Sequence, residues 1–176
     1  MNFPDEILGC FSEAEAMIQR RSWYPAGWVC CSGLWRTERY GDTVVLRLTR
    51  QHWSSTKSVS LHEGGEIQYA AWIDPQLFRA RELRFEMHVF KFVGAGRRNI
   101  RKGDFTDAFR ERAQASIQKF GHHDMRRGPA VPYAGSYRFS DADDLRSFLV
   151  ADFDRFVSLA PLVEERLNEL LRSEGP

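Results

Sequence analysis

The sequence predicts an α+β domain of two layers, in which an N-terminal helix and two to three C-terminal helices pack on an antiparallel, five-stranded meander sheet. Apolar residues recur at helical spacing near both ends of the 176-residue chain, and strand-like segments lie between them. Short turns join most of these segments, whereas parallel strands would need much longer crossovers. No linker or internal repeat is present, so residues 1–176 are expected to form a single domain.

The first helix is predicted from Pro4 to about Arg20. Proline suits the first turn of a helix, and the acidic residues that follow favour the positive end of the helix dipole. The apolar residues recur every three or four positions and define the face expected to pack on the sheet. They are Ile7, Leu8, Phe11, Ala14 and Ile18.

Five strands are predicted in the centre of the chain, where the hydrophobic period shortens to two residues. β-branched and aromatic residues are frequent there, and turn-forming residues separate most of the segments. Alternation between apolar and polar residues is clearest in the last three predicted strands. The predicted strands cover residues 27–36, 42–50, 57–63, 66–74 and 82–92.

The turns predict a register for the last three strands. If residues 63–65 form a hairpin tip, Leu61 pairs with Ile67 on the core face. In the next hairpin, Tyr69 pairs with Met87. The opposite face of these strands is then expected to carry Ser60, His62, Glu66, Gln68, Trp72, Arg84, Glu86, His88 and Phe90.

Helical spacing returns in the last third of the chain. Asp104 is predicted to cap one helix and Gly121 to end it. A loop rich in glycine and proline follows, with a short strand predicted over residues 136–139. Ser140 is predicted to cap a further helix, and Pro161 to kink that helix or to begin another.

Residues 94–102 form a basic loop before the helix that Asp104 is predicted to cap. Its cations can hold phosphate groups electrostatically beside a helix N-terminus. Dinucleotide loops need a third glycine where this sequence has Asn99, and they join a strand directly to its helix. A nucleotide-binding fold is therefore not expected, and the loop is either a nucleic-acid contact or a solvated connection. The four cations are Arg97, Arg98, Arg101 and Lys102.

A second polar segment contains adjacent histidines. His122, His123 and Asp124 are candidates for metal ligands or for acid–base chemistry. Neighbouring residues rarely reach the same ion, and the spacing matches no metal-binding motif, so no metal site is predicted. The sequence also contains no cofactor motif, and no cofactor is expected.

The outward face of the predicted sheet carries the candidate catalytic and binding residues. Titratable groups lie there on neighbouring strands, where they can serve acid–base chemistry. Large aromatic side chains share this face and indicate a ligand groove, a partner surface or a second layer of helix. The candidate catalytic residues are His62, Glu66, Glu86 and His88, and the candidate binding residues are Trp72, Arg84 and Phe90.

Asp152 falls within the apolar stripe of the helix that begins near Ser140. A buried carboxylate must be paired, hydrogen-bonded or protonated. We expect a structural clamp, formed with Arg47 or Arg84 from the strands or with donors in the loop before Ser140. The alternative is an acid that lines a pocket.

Composition limits the class of protein. No apolar run approaches the ~18 residues of a membrane span, and the N-terminus lacks the positive charge of a signal peptide. Cys10, Cys30 and Cys31 have no metal spacing, which favours reduced and mostly buried thiols. A soluble cytoplasmic protein is therefore expected. Arginine outnumbers lysine 21 to 4, which either suits phosphate recognition or reflects the base composition of the genome.

The sequence favours a non-enzymatic interaction module. Such a module would bind a protein or a nucleic acid through its outer sheet face or the basic loop, and would associate as a homodimer. The alternative is a small enzyme that uses histidine and glutamate on the sheet face, with a phosphorylated or nucleic-acid substrate. A histidine in a closed pocket would favour the enzyme, and a flat apolar patch would favour the module.

Overall fold

A computed structural model shows helices packed on an antiparallel sheet, so the predicted α+β class is confirmed. The structure describes residues 1–38, 41–54, 59–63, 65–90, 102–121, 123–124 and 130–173. The strands are β1 Trp28–Thr37, β2 Gly41–Arg50, β3 Ile67–Ile73, β4 Glu82–Val89, β5 His123–Asp124 and β6 Ala134–Arg138. The helices are α1 Asp5–Gln19, α2 Pro75–Ala80, α3 Lys102–Gln118, α4 Ala142–Ser158 and α5 Ala160–Ser173, with a 3-10 turn at Gln51–Trp53.

Side-chain caps mark the starts of α2 and α4, whereas α3 begins at Lys102, so that the predicted cap Asp104 lies inside its first turn. The cap of α4 is Asp141, one residue after the predicted Ser140, and its carboxylate accepts the backbone N–H of Asp144 at 2.9 Å. Pro161 lies at the start of a new helix, the second of the two predicted alternatives. The short helix α2 was not predicted, although Asp74 before a proline is a strong start signal. In the described part of the chain, no helix is long and apolar enough to cross a membrane.

The strand order is β1-β2-β3-β4-β6-β5, and every neighbouring pair is antiparallel. The first four strands therefore form a meander, as the short connections predict. The predicted pairing of Tyr69 with Met87 is confirmed. The short strand predicted over 136–139 is also present as β6, which pairs with β4.

The predicted strand over residues 57–63 is wrong, because the described residues 59–63 are not a strand and β2 pairs directly with β3. The predicted pairing of Leu61 with Ile67 is therefore wrong as well. Residues 59–63 instead lie against the outer face of the sheet. Leu61 occupies the space beside Gly33, where an added Cβ would come within 2.6 Å of Leu61 Cδ2. A glycine in β1 thus makes room for this segment to pack on the sheet rather than extend it.

The inner face of the sheet forms the main core against the helices. All eight inner-face residues of β3 and β4 are at most 1% exposed, because alternate side chains of each strand point to the same side. Tyr69 stacks on Phe156 of α4 with ring centroids 4.8 Å apart, and Phe85 lies 5.5 Å from Phe148. These aromatic contacts fix α4 across the centre of the sheet.

Asp152 lies on the buried side of α4, with only 2% of its surface exposed. Its charged neighbour is Arg155 on the same helix, with Arg155 Nη1 3.5 Å from Asp152 Oδ1. Burial raises the pKa of Asp152 to about 7, against the smaller opposing effect of Arg155. Arg47 and Arg84, the partners suggested by the sequence, line the outer face of the sheet instead.

Candidate functional site

A groove of about 430 Å³ runs along the outer face of the sheet. Its walls come from alternate residues of β2, β3 and β4, with Trp35 of β1 at one end. The pairing of the strands places Ala70 at the centre, between Arg47 on β2 and Glu86 on β4. The small side chain of Ala70 leaves space between two long charged ones, so the concavity follows directly from the sequence of β3.

Two buried polar side chains line this groove. Thr43 is 8% exposed and Gln68 is 5% exposed. Neither Thr43 Oγ1 nor Gln68 Oε1 has a hydrogen-bond partner among the residues that the structure describes. Buried polar atoms are nearly always paired in native proteins, so these two atoms are open to a partner such as water or a ligand.

Arg47 forms one side of the groove and is also buried. Its Nη1 donates to the backbone carbonyl of Leu61 at 2.8 Å, which holds residues 59–63 on the sheet. Burial lowers the pKa of the Arg47 guanidinium, while the nearby charge of Glu66 acts in the opposite direction. Gly65 has a φ of 71°, and an added Cβ there would lie 2.6 Å from Arg47 Nη2. Glycine is therefore required at this position both by its backbone conformation and by the close approach of Arg47.

Glu86 and His88 are in close contact on the opposite side. His88 Nε2 lies 2.5 Å from Glu86 Oε1. The His88 ring stacks on Phe90 with centroids 5.5 Å apart and planes 3° from parallel, and the Trp72 ring lies 6.3 Å away. The imidazole is therefore fixed both by a carboxylate and by ring contacts, an arrangement that can position it for proton transfer or for ligand stacking.

Two further charged residues lie on the groove. Arg84 pairs with Trp72 in the register of β3 and β4, and its side chain is 46% exposed. Its contact with Glu82 is a distant one, at 3.8 Å between Nε and Oε1. Asp74 lies on the groove as well, while one of its oxygens caps α2. The groove thus carries opposite charges and has no single electrostatic sign.

The structure brings five of the predicted site residues together in this groove: Trp72, Arg84, Glu86, His88 and Phe90. His62 lies apart from them and packs edge-to-face on Trp35, with centroids 5.5 Å apart. Glu66 lies beside the groove and accepts the Phe90 backbone N–H at 2.7 Å through its carbonyl. The expected opposition of His62 and Glu66 is not formed, because it depended on a hairpin strand that does not exist.

Sequence reasoning missed the β2 side of the groove. Thr43 is not among the predicted site residues, and Arg47 is predicted only as a partner for Asp152. The alternation of β2 contained the signal, because Thr43, Val45 and Arg47 share one face while Val44 and Leu46 share the other. The predicted strand over residues 57–63 would lie between β2 and β3, so the predicted sheet does not place these β2 residues beside Ala70 and Trp72.

The other candidates lie outside the part of the chain that can be described. Arg97, Arg98, Arg101 and His122 are outside the described residues, as are the side chains of Lys102, His123 and Asp124. Among the described side chains, no group of three histidine, cysteine or acidic residues could hold a metal ion. Phosphate binding by the basic loop therefore stays a prediction, as does any role of the histidine segment.

The groove has the dimensions of a small-molecule site, since such sites usually occupy roughly 300–1,000 Å³ and combine apolar walls with a few polar groups. It offers aromatic faces, hydrogen-bonding atoms and charges of both signs within one concavity. No protein-family model, curated protein or solved structure matches the chain. The chemistry of this groove is therefore what indicates a function.

Proposed function

We propose that this protein is a binding module that holds a small organic ligand in the groove on its outer sheet face. The observation that carries the proposal is the pair of buried atoms Thr43 Oγ1 and Gln68 Oε1, which lack partners among the described residues. Leaving such an atom unpaired costs about 1–3 kcal/mol. A polar ligand that bonds to one of these atoms recovers that free energy on binding.

The proposal agrees with the position of these atoms. In the core, a threonine or glutamine without a partner would simply destabilise the fold. Here both residues line an open concavity that a ligand can enter. Buried polar groups of this kind are typical of sites where stability is lost in favour of recognition.

A thermal-unfolding screen against a broad set of small metabolites tests the proposal. Ligands of the groove should raise the unfolding temperature of the wild type, because they bind only the folded state. Ala70→Leu fills the centre of the groove and should abolish these shifts. Ala115→Leu makes the same change at an exposed position of α3 and should retain them. No shift with any compound, or identical shifts in Ala70→Leu, would contradict the proposal.

A second candidate function is hydrolysis, and the 2.5 Å contact of Glu86 with His88 favours it. His88 would remove a proton from water while the water oxygen attacks the phosphorus of a phosphodiester. The P–O bond to the leaving group then breaks, and the leaving group departs as an alkoxide or a phenolate. Release of nitrophenolate from bis(4-nitrophenyl) phosphate measures this reaction directly. Activity that survives His88→Ala unchanged would exclude this role for the pair.

A homodimer is a further proposal for the same face. Phe90 is 45% exposed and Trp35 is 36% exposed, and both lie on the groove. A second copy that covers them would remove apolar surface from water. Light scattering of the wild type and of Phe90→Glu tests this idea. A monomeric wild type across the accessible concentration range would rule the dimer out.

Nucleic-acid binding by the basic loop rests on its four cations alone. If Arg97, Arg98, Arg101 and Lys102 contact phosphates, affinity should fall with salt by about one unit of log–log slope per contact. Binding of random duplex and single strands at low and moderate salt measures the slope. Absence of binding even at low salt would remove this proposal.

A cytoplasmic location is also a proposal, and the cysteines support it. All three are free thiols, and Cys10 and Cys30 are buried. Burial raises the pKa of Cys31 to about 11, so this thiol stays protonated near neutral pH. Free, unreactive cysteines are typical of reducing compartments. Localisation of a tagged chain by fractionation tests the assignment.

A further inference from the structure

The chemistry around Ala70 narrows the class of ligand, if the groove binds a small molecule as proposed above. Gln68 precedes Ala70 by two residues on β3, and Glu86 pairs with Ala70 across the strands. Gln68 Oε1 and the Glu86 carboxylate are both hydrogen-bond acceptors. Arg47, which pairs with Ala70 on the β2 side, is a donor, so the acceptors lie together only on the side of Gln68 and Glu86. The edge of a ligand that faces these two residues must carry N–H or O–H donors.

The walls of the groove favour a flat ligand. Trp72, His88 and Phe90 form an aromatic stripe. The His88 ring centroid lies 6.3 Å from that of Trp72 and 5.5 Å from that of Phe90. Phe90 remains 45% exposed although it is a large apolar side chain. A planar ring that stacks on this stripe covers aromatic surface, and its edge then faces Gln68, which pairs with His88 across the strands.

The charge on the rim favours an anionic substituent. Arg84 lies beside Trp72 in the register, its side chain is 46% exposed, and its contact with Glu82 is no closer than 3.8 Å. An arginine fork in this position can bind a phosphate or carboxylate in two-pronged fashion. Arg84 is four residues from His88, or roughly 13 Å along the strand, so one ligand can stack on the stripe and still reach Arg84.

We propose that the ligand is a guanine-type nucleotide, a planar nitrogen heterocycle with adjacent N–H donors on its inner edge and an anionic group that meets Arg84. Gln68 and Glu86 accept from the ring edge. Trp72 and Phe90 bind its faces, and Arg84 binds the phosphate.

Calorimetric titration with four probes tests this inference: guanosine monophosphate, inosine monophosphate, guanosine and phenyl phosphate. Guanosine monophosphate should bind most tightly. Inosine monophosphate lacks the amino donor and should bind at least about fivefold more weakly, because a buried acceptor is then left unpaired. Guanosine should bind about tenfold more weakly because it lacks the charge that pairs with Arg84. Phenyl phosphate should bind least, since it has no donor edge.

Variants identify the contacts. Gln68→Leu should lower the affinity for guanosine monophosphate by at least about tenfold. Gln114→Leu changes an exposed glutamine of α3 and should leave that affinity unchanged. Arg84→Gln should remove the preference for the monophosphate over guanosine, and Arg138→Gln on the exposed end of β6 should preserve it. Circular dichroism of each variant confirms that the fold is intact.

The outcomes separate this inference from the proposed function. If guanosine and inosine monophosphates do not bind but other compounds give shifts that Ala70→Leu abolishes, the groove binds a ligand and the nucleotide class is wrong. If phenyl phosphate binds as well as guanosine monophosphate, the donor edge has no role and the inference is overturned. If no compound in the broad screen binds, the proposed function itself fails.

Discussion

The two faces of the sheet are built from the same strands but differ in the kind of side chain that they bury. On the inner face of β3 and β4, every residue is apolar or aromatic and at most 1% exposed. On the outer face, Gln68, Glu86 and Thr43 are also nearly buried, although their side chains are polar. Because side chains alternate along a strand, the same strands present an apolar face that packs on the helices and a second face that carries buried polar side chains.

The difference lies in what burial gains on each face. Packing Tyr69 and Phe85 against α4 buries two large aromatic rings, although the Tyr69 hydroxyl has no hydrogen-bond partner among the described residues. Burying Gln68 on the other side contributes little packing and leaves an acceptor without a partner among the described residues. Sequences rarely keep such a group unless something binds to it.

The largest expected effect is on the inner face. Phe85→Ala should lower the free energy of unfolding by about 3–5 kcal/mol, because it leaves a cavity against Phe148 of α4. Phe90→Ala, one residue after the end of β4, should lower the free energy of unfolding by less than about 1 kcal/mol because that ring is already half exposed. Urea unfolding measures both. Equal losses would contradict the assignment of the two faces.

A second effect concerns the buried acid on the helix side. Burial raises the pKa of Asp152 to about 7, whereas the unfolded chain should have the ordinary value near 3.8. The folded state then binds more protons than the unfolded state between these values, so the contribution of Asp152 to stability falls as pH rises through this range. At 1.36 kcal/mol per pKa unit, the loss approaches about 4 kcal/mol above pH 7.

Asp152→Asn isolates this contribution, since the neutral amide does not titrate. The stability of the variant relative to the wild type should increase from pH 4 to pH 7 and then stay constant. Asp143→Asn alters an exposed acid at the start of the same helix and should show no such trend. A relative stability that is independent of pH would show that Asp152 is ionised at little cost in the folded protein.

A smaller effect is expected on the outer face. Thr43→Val preserves the shape of the side chain and removes a hydroxyl that has no hydrogen-bond partner in the described part of the chain. The variant should be more stable than the free wild type by about 1 kcal/mol, the reverse of the usual effect of mutation. A loss of stability would indicate that the hydroxyl is already paired, for instance by ordered water.

Much of the fold was accessible from the sequence because the signals were local. Alternation defined the core face of β3 and β4 and the pairing of Tyr69 with Met87. Caps and proline positions gave the starts of the helices to within a few residues. Asp152 was placed on the apolar stripe of its helix by periodicity alone, and it is 2% exposed.

The rest depended on contacts between distant segments. Residues 59–63 alternate like a strand, yet Gly33 leaves a space on the outer face that Leu61 occupies. Periodicity cannot distinguish a strand from an extended segment that packs on a sheet, because both alternate. The groove was hidden for the same reason, since it forms only when Arg47 and Ala70 become neighbours through direct pairing of β2 with β3.

The most direct test of the central claim is the free energy of unfolding of Gln68→Leu, measured with and without guanosine monophosphate. Without ligand, the variant should be more stable than the wild type by about 1–3 kcal/mol, because it no longer buries an unpaired oxygen. With ligand, the wild type should gain stability and the variant should not. A variant that is less stable than the wild type without ligand, and that gains as much from ligand as the wild type does, would contradict the account.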